Sequence, residues 1–108
     1  MKIAKIEELP GQIPKDHYDL IGRTLYESKS TRIAFTRMEK TGRCDPHIHE
    51  NAEQLFIVLK GAMMFKSFEG ETLVKEGHTV LFHPGEVHSN YNAADEETEY
   101  LTVTTFLP

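Results

Sequence analysis

Between Lys60 and Glu86 the chain is broken by Lys60-Gly61, Glu69-Gly70-Glu71, Glu76-Gly77-His78 and His83-Pro84-Gly85-Glu86. Only the short runs Met63-Met64-Phe65, Thr72-Leu73-Val74 and Thr79-Val80-Leu81-Phe82 lie between these breaks. Gaps that short hold strands but not helices of ordinary length, and turns at this density join antiparallel strands. The flanking segments agree. Thr31, Ile33, Phe35 and Arg37 alternate with Arg32, Ala34, Thr36 and Met38, which predicts a strand over 30–39. The break at Thr41-Gly42-Arg43-Cys44-Asp45-Pro46 is expected to end it. The run from Gln54 to Leu59 is apolar on both parities and predicts a strand buried on both faces, and Tyr100 to Phe106 reads as the closing strand. Ala94-Asp95-Glu96-Glu97 is expected to be a solvated loop. Before Arg23, Pro10, Gly11, Pro14 and Gly22 interrupt scattered apolar residues, which predicts an irregular arm with at most one short strand; a helical turn near Lys15 to Leu20 is compatible. The expected class is all-β, a jelly roll or small barrel.

At 108 residues the chain fits a single domain, 1–108. A domain of this size buries only about 60–70% of its unfolded surface, so an apolar face covered by a second copy would add stability, and a homodimer is expected. With 12 Lys+Arg against 17 Asp+Glu the net charge is −5 and no basic run stands out, which argues against nucleic-acid binding. The N-terminal residues soon meet acids, and no stretch approaches about 18 apolar residues, so a cytoplasmic protein with no membrane partner is expected. Cys44 stands alone, which rules out an intramolecular disulfide and a cysteine-rich zinc site; it reads as structural. A bound metal must therefore rely on nitrogen and oxygen donors.

His47 and His49 stand at i and i+2, which in an extended strand puts both imidazoles on one face about 6.5–7 Å apart. A single ion between them can bind both, although a pair of surface histidines is the plainer alternative. His17, His78 and His83 read as surface or turn residues, with His83 beside the Pro84-Gly85 turn.

Gly42, His47, His49, Gln54 and Gly61, followed by Gly77, Gly85, His88 and Asn92, resemble in order and spacing the two motifs of the cupin superfamily. The resemblance spans residues 42–92. It departs in three places: Gly42 lies one residue nearer the first histidine, His83 takes the usual proline position with Pro84 supplying the turn, and Gln54 stands where many cupins carry Glu. Small bacterial cupins of pectin breakdown share the His, His, Gln, His variant. The resemblance implies a cupin-type antiparallel β-barrel holding one divalent metal ion per chain (Zn, Ni, Mn, Fe or Co) on His47, His49, Gln54 and His88. Glu53 competes with Gln54, since strict parity from His49 favours it; the spacing to Gly61 and shared parity with Phe56 and Val58 favour Gln54. Three imidazoles and an amide would leave the ion its full +2 charge. Phe56, Met63, Phe65 and Phe82 are expected to line a ligand cavity, with Tyr91, Arg23 and His83 as weak candidates for orienting an anion or moving a proton.

The implied function is a metal-dependent isomerase, lyase or oxygenase acting on a small polar or anionic substrate: a sugar acid, keto acid or phenolic compound. Opening of unsaturated uronate sugars is the specific case the Gln-containing site most resembles. A non-catalytic module that binds or senses a small ligand is the alternative, and a metal that merely holds the fold is a third.

Overall fold

One long strand organises the computed structural model, which describes residues 1–108. Strand β3 (Thr31–His47) pairs antiparallel with β9 (Thr98–Phe106) from Thr31↔Thr105 to Met38↔Thr98. Its last residues pair instead with β8 (His88–Asn92), from Arg43↔Tyr91 to His47↔His88. The same strand thus belongs to both walls of the molecule. On one side β4 (Ala52–Lys60) continues from β9 and β7 (Thr79–Phe82) from β4; on the other, β5 (Ala62–Ser67) continues from β8 and β6 (Gly70–Lys75) from β5. β2 (His17–Glu27) lies along β3 and carries the two-residue β1 (Gly11–Gln12) on its outer edge. Every pairing is antiparallel, and the order β6-β5-β8-β3-β9-β4-β7 is a nearly closed jelly-roll barrel. The one helical element is a 3-10 turn at Ile6–Glu8, and no helix is long and apolar enough to cross a membrane.

Two expected strand limits need correction. The segment from Thr41 to Pro46 does not end β3, because its pairing passes from β9 to β8 there without leaving the sheet. Gly42 serves close packing at that crossing: a Cβ would run into Met38 and sit 2.9 Å from the Asp19 carbonyl and 3.0 Å from the Glu39 carbonyl. Asn92 holds the bend, its Nδ2 donating to the Glu39 and Glu96 carbonyls at 2.9 Å each. The irregular arm also ends earlier than expected, since residues 17–27 form an eleven-residue strand. Register shifts at Tyr18/Leu20 and Thr24/Tyr26, and a left-handed Asp19 (φ 54°), scramble the two-residue alternation that would have marked it.

Met38, Val58, Met63 and Phe65 are at most 2% exposed and, with Leu20, Phe56, Val74, Phe82 and Tyr100, form the packed core at one end of the barrel. β4 is buried on one face only, contrary to expectation: Gln54, Phe56 and Val58 point inward, while Leu55 and Ile57 are half-buried and Leu59 is exposed. Leu55 lies beside Leu81 and Val103, and Val103 beside Ile33, so the outer wall is a continuous apolar face.

The turn from β4 to β5 depends on Gly61, whose φ of 88° disfavours any side chain. A Cβ there would also strike Thr98, a fully buried residue whose hydroxyl donates to Asn92 Oδ1 at 2.8 Å. Gly61→Ala is expected to destabilise the protein by more than about 1 kcal/mol, read as a lower midpoint in urea unfolding.

Candidate metal centre

His47 closes β3, His49 follows in the loop, and the β3–β8 register sets His88 directly opposite His47. Their rings converge with centroids 4.9 Å apart for His47 and His49, 4.3 Å for His47 and His88, and 6.0 Å for His49 and His88. One ring nitrogen from each lies within 4.8 Å of the others, a spacing that three donors to one ion can adopt.

The ring nitrogens are assigned by their neighbours. His47 Nδ1 lies 3.1 Å from the Asp45 carbonyl and His88 Nδ1 3.2 Å from the Glu86 carbonyl, and the tautomers that donate there leave each Nε2 with a free lone pair. Burial, reinforced by the neighbouring His47, pushes His88 down to about 4, and burial likewise lowers His49 with help from His47 and Arg32. Both are therefore neutral near pH 7, the form that binds metal. Phe82 stacks flat on His88, ring centroids 4.0 Å apart at 11°, and fixes its plane.

Gln54 completes the group from β4. Its Nε2 donates to Thr104 Oγ1 at 3.2 Å, which turns Oε1 toward His88 Nε2 at 3.1 Å. In one tautomer His88 Nε2–H donates to Gln54 Oε1; in the other, with Nδ1–H engaged at Glu86, two lone pairs face one another inside the barrel. Such a contact is unfavourable unless a cation sits against both, and nitrogen and amide oxygen donors suit a divalent ion. Glu53 points the other way, its Oε2 3.3 Å from His83 Nδ1 on the outside.

Of the expected cavity residues, only Phe56 lines the 330 Å³ cavity beside the histidines. Met63, Phe65 and Phe82 are core residues behind it, because the inward faces of β5 and β7 meet at the packed end. The wall is instead polar: Thr24, Thr36, Thr102, Thr104, Asn90 and Tyr100. Arg23 points outward and holds the N-terminal arm by donating from Nε to the Leu9 carbonyl at 3.2 Å. Tyr91 has the opposite parity to His88 and Asn90 and lies beneath Lys66 Nζ at 5.6 Å. His83 is exposed on the outer turn. None of these three lines the cavity. His17, by contrast, is not a surface residue: it lines the cavity, its ring 5.9 Å from that of His47. Its Nδ1 donates to the Lys15 carbonyl at 2.7 Å, and burial lowers its pKa. The sequence offered no cue to this, since the turn that aims it depends on a left-handed Asp16 (φ 62°). Cys44 is buried with its thiol pushed up to about 12, chiefly by desolvation, so it is inert as a nucleophile; its Sγ donates to the Asp45 carbonyl at 3.3 Å.

The depressed histidines link protonation to stability. The unfolded chain takes up protons below the ordinary value of 6.5, whereas folded His88 resists until about 4, so stability present above pH 6.5 is lost as the pH falls toward 4. Metal-free protein is expected to melt at a lower temperature at pH 4.5 than at pH 7.5, and the difference should shrink in His88→Gln. An equal difference in both proteins would remove His88 as its source.

A family model described as a cupin domain matches residues 34–104. No curated protein matches the sequence. Among solved structures, the polyketide cyclase RemF from Streptomyces resistomycificus superposes with a TM-score of 0.85 at 19% identity, covering 97% of this chain and 79% of that one. A predicted oxalate decarboxylase from Thermotoga maritima gives 0.87 at 18% identity, covering 98% and 100%. KdgF from Halomonas sp. gives 0.82 at 12% identity, covering 94% and 92%. Identities this low carry the fold and no more, but the family match extends over most of the chain, from near the start of β3 almost to the end of β9, and the chain belongs to the cupin family.

Proposed function

We propose that this cupin binds one divalent metal ion through His47, His49, His88 and Gln54 and is a metal-dependent enzyme for a small polar or anionic substrate. The observation that carries the reading is the convergence of His47, His49 and His88, one ring nitrogen of each within 4.8 Å of the others, with Gln54 Oε1 3.1 Å from His88 Nε2. Zn, Ni, Mn, Fe and Co all suit this donor set. When bound, the ion supplies Lewis acidity undiminished by any anionic ligand, of use in polarising a carbonyl or stabilising an enolate in isomerase or lyase chemistry, or in oxygenase chemistry. The chain's own residues orient the donors, through Asp45, Glu86 and Thr104, and burial lowers the pKa of His49 and His88. Sugar acids, keto acids and phenolic compounds are the candidate substrates. The similar structures of a polyketide cyclase, a predicted oxalate decarboxylase and KdgF are compatible with that range.

The second reading, a module that binds a ligand without converting it, is favoured by one feature: no Asp or Glu lines the cavity, which leaves Lys15, His17 and Tyr100 as the side chains there, besides the site histidines, able to carry a proton. Turnover of any bound ligand separates the two.

Metal analysis of protein purified without added metal or an affinity tag for metal is expected to find close to one ion per chain. His47→Ala and His88→Ala should lose it. Gln54→Ala should bind at least about tenfold more weakly, since even groups behind metal ligands are worth that much. Absence of metal, with no uptake on titration of Zn²⁺ or Ni²⁺, would leave a metal-free binding barrel.

We further propose a homodimer formed across the outer face of β3, β9, β4 and β7, where Leu81 is 46% exposed and Leu59 42%. Light scattering is expected to give twice the 12.4 kDa chain mass, and Leu81→Glu to shift it toward the monomer; a parent monomer at all concentrations would refute the dimer.

A further inference from the structure

The chain carries four arginines, and three of them have partners within the protein. Arg37 donates to Glu99, Arg43 to Asp45 and Arg23 to the Leu9 carbonyl. Arg32 makes no ion pair, not even with Glu27, which stands opposite it in the β2–β3 register. Its side chain lines the cavity, and it shares parity on β3 with Ala34 and Thr36, which line it too. Arg32 lies opposite Thr104, and Thr104 opposite Gln54, so the three form one row across β3, β9 and β4. Residues directly opposite share a face of the sheet. Neighbouring strands are about 4.8 Å apart, which sets the Arg32 and Gln54 backbones about 9–10 Å from each other.

The charge around the cavity is one-sided. The chain has 17 Asp and Glu, yet none lines the cavity, whereas Arg32 and Lys15 both reach it from the exposed rim. Lys15, like Arg32, forms no ion pair. A protein of net charge −5 thus keeps its acids away from this cavity and presents two cations to it. Three imidazoles and an amide would leave an ion there its full +2 charge as well. A single carboxylate at the ion offsets part of that charge and leaves Arg32 unpaired. A guanidinium facing a partly enclosed space is suited to a carboxylate, which it binds through two parallel N–H···O bonds. The 330 Å³ volume limits the ligand to a small molecule.

We propose that Arg32 binds a second carboxylate of the substrate, so that the cavity selects a short-chain dicarboxylate over a monocarboxylate of the same shape. The first carboxylate lies at the histidines and Gln54, the second at Arg32, and Lys15 adds positive charge at the rim. This deepens the reading given under Proposed function, on which it rests for the place of the first carboxylate, and it narrows the substrate class. A ligand with one negative charge leaves the guanidinium unpaired. Exchange of the second carboxylate for an amide keeps the shape and one acceptor oxygen and removes only the charge, so the affinity it costs is the electrostatic part of the Arg32 contact.

Malonate, succinate and glutarate, each beside its half-amide, test this by calorimetric titration at pH 7.5 into Zn²⁺-loaded and metal-free protein, with the metal content measured in each sample. The best-bound diacid is expected to bind at least about tenfold more tightly than its half-amide. Arg32→Gln should reduce that ratio to about twofold or less with metal content unchanged, and Arg32→Lys, which keeps the charge without the fork, should restore part of it. Equal affinity for diacid and half-amide, no binding of any diacid at millimolar concentration, or an undiminished ratio in Arg32→Gln would each overturn the proposal; the last would assign the preference to chelation by the ion. Metal bound without preference for the diacid would refute this inference alone. An Arg32-dependent preference in a protein that takes up no metal would support Arg32 as the selecting residue and refute the metal centre.

Discussion

The β3–β8 register, His47 opposite His88, is the constraint from which the rest of the site follows. It exists because β3 leaves β9 and joins β8 without stopping, at a bend that Gly42 makes possible and the Asn92 amide holds. Two residues in this chain that bear no reactive group thus decide where the reactive ones meet. The loop after His47 then returns His49 to the same point, and β4, paired to β9, brings Gln54 from the opposite wall. Three of the four groups are also held from behind, by a backbone carbonyl for His47 and His88 and by a hydroxyl for Gln54. Burial keeps His88 and His49 neutral, so position and protonation state have one cause, enclosure by the barrel.

Much of this was legible in the sequence. The turn spacing from Lys60 to Glu86 fixed the fold class, because glycine-bounded runs of that length have few alternatives. The motif residues indicated which histidines to bring together, and Gln54 over Glu53 followed from parity along β4. What was not legible depended on backbone irregularity or on which wall a strand faces. β2 was hidden by its two register shifts, and with it His17, aimed inward by a turn through Asp16. β3 was cut short in the reading because Gly, Asp and Pro usually end a strand, while here they accompany a change of partner. Tyr91 and Arg23 were misplaced for want of parity: each is one residue out of phase with the inward-facing set on its strand.

The cavity lining was missed for a subtler reason. In Tyr100-Leu101-Thr102-Val103-Thr104 the usual assignment, apolar inward and polar outward, is reversed beyond Tyr100: Thr102 and Thr104 line the cavity, and Leu101 and Val103 face out. Read alone, that alternation suggests a strand turned the other way. It fits a barrel whose interior is lined by polar side chains and whose outer wall is apolar.

Those two inversions are physically coupled. A chain of 108 residues that gives part of its interior to threonines, an asparagine and histidines has given up apolar burial that a small domain can hardly spare. The outward leucines, isoleucines and valines of β3, β4, β7 and β9 offer it back, but only when a second copy removes them from water. The polar cavity and the apolar outer wall use alternate residues of the same strands, so a change of register that altered one would alter the other. The polar cavity and the apolar outer wall are in this sense one design, written on opposite faces of β4 and β9.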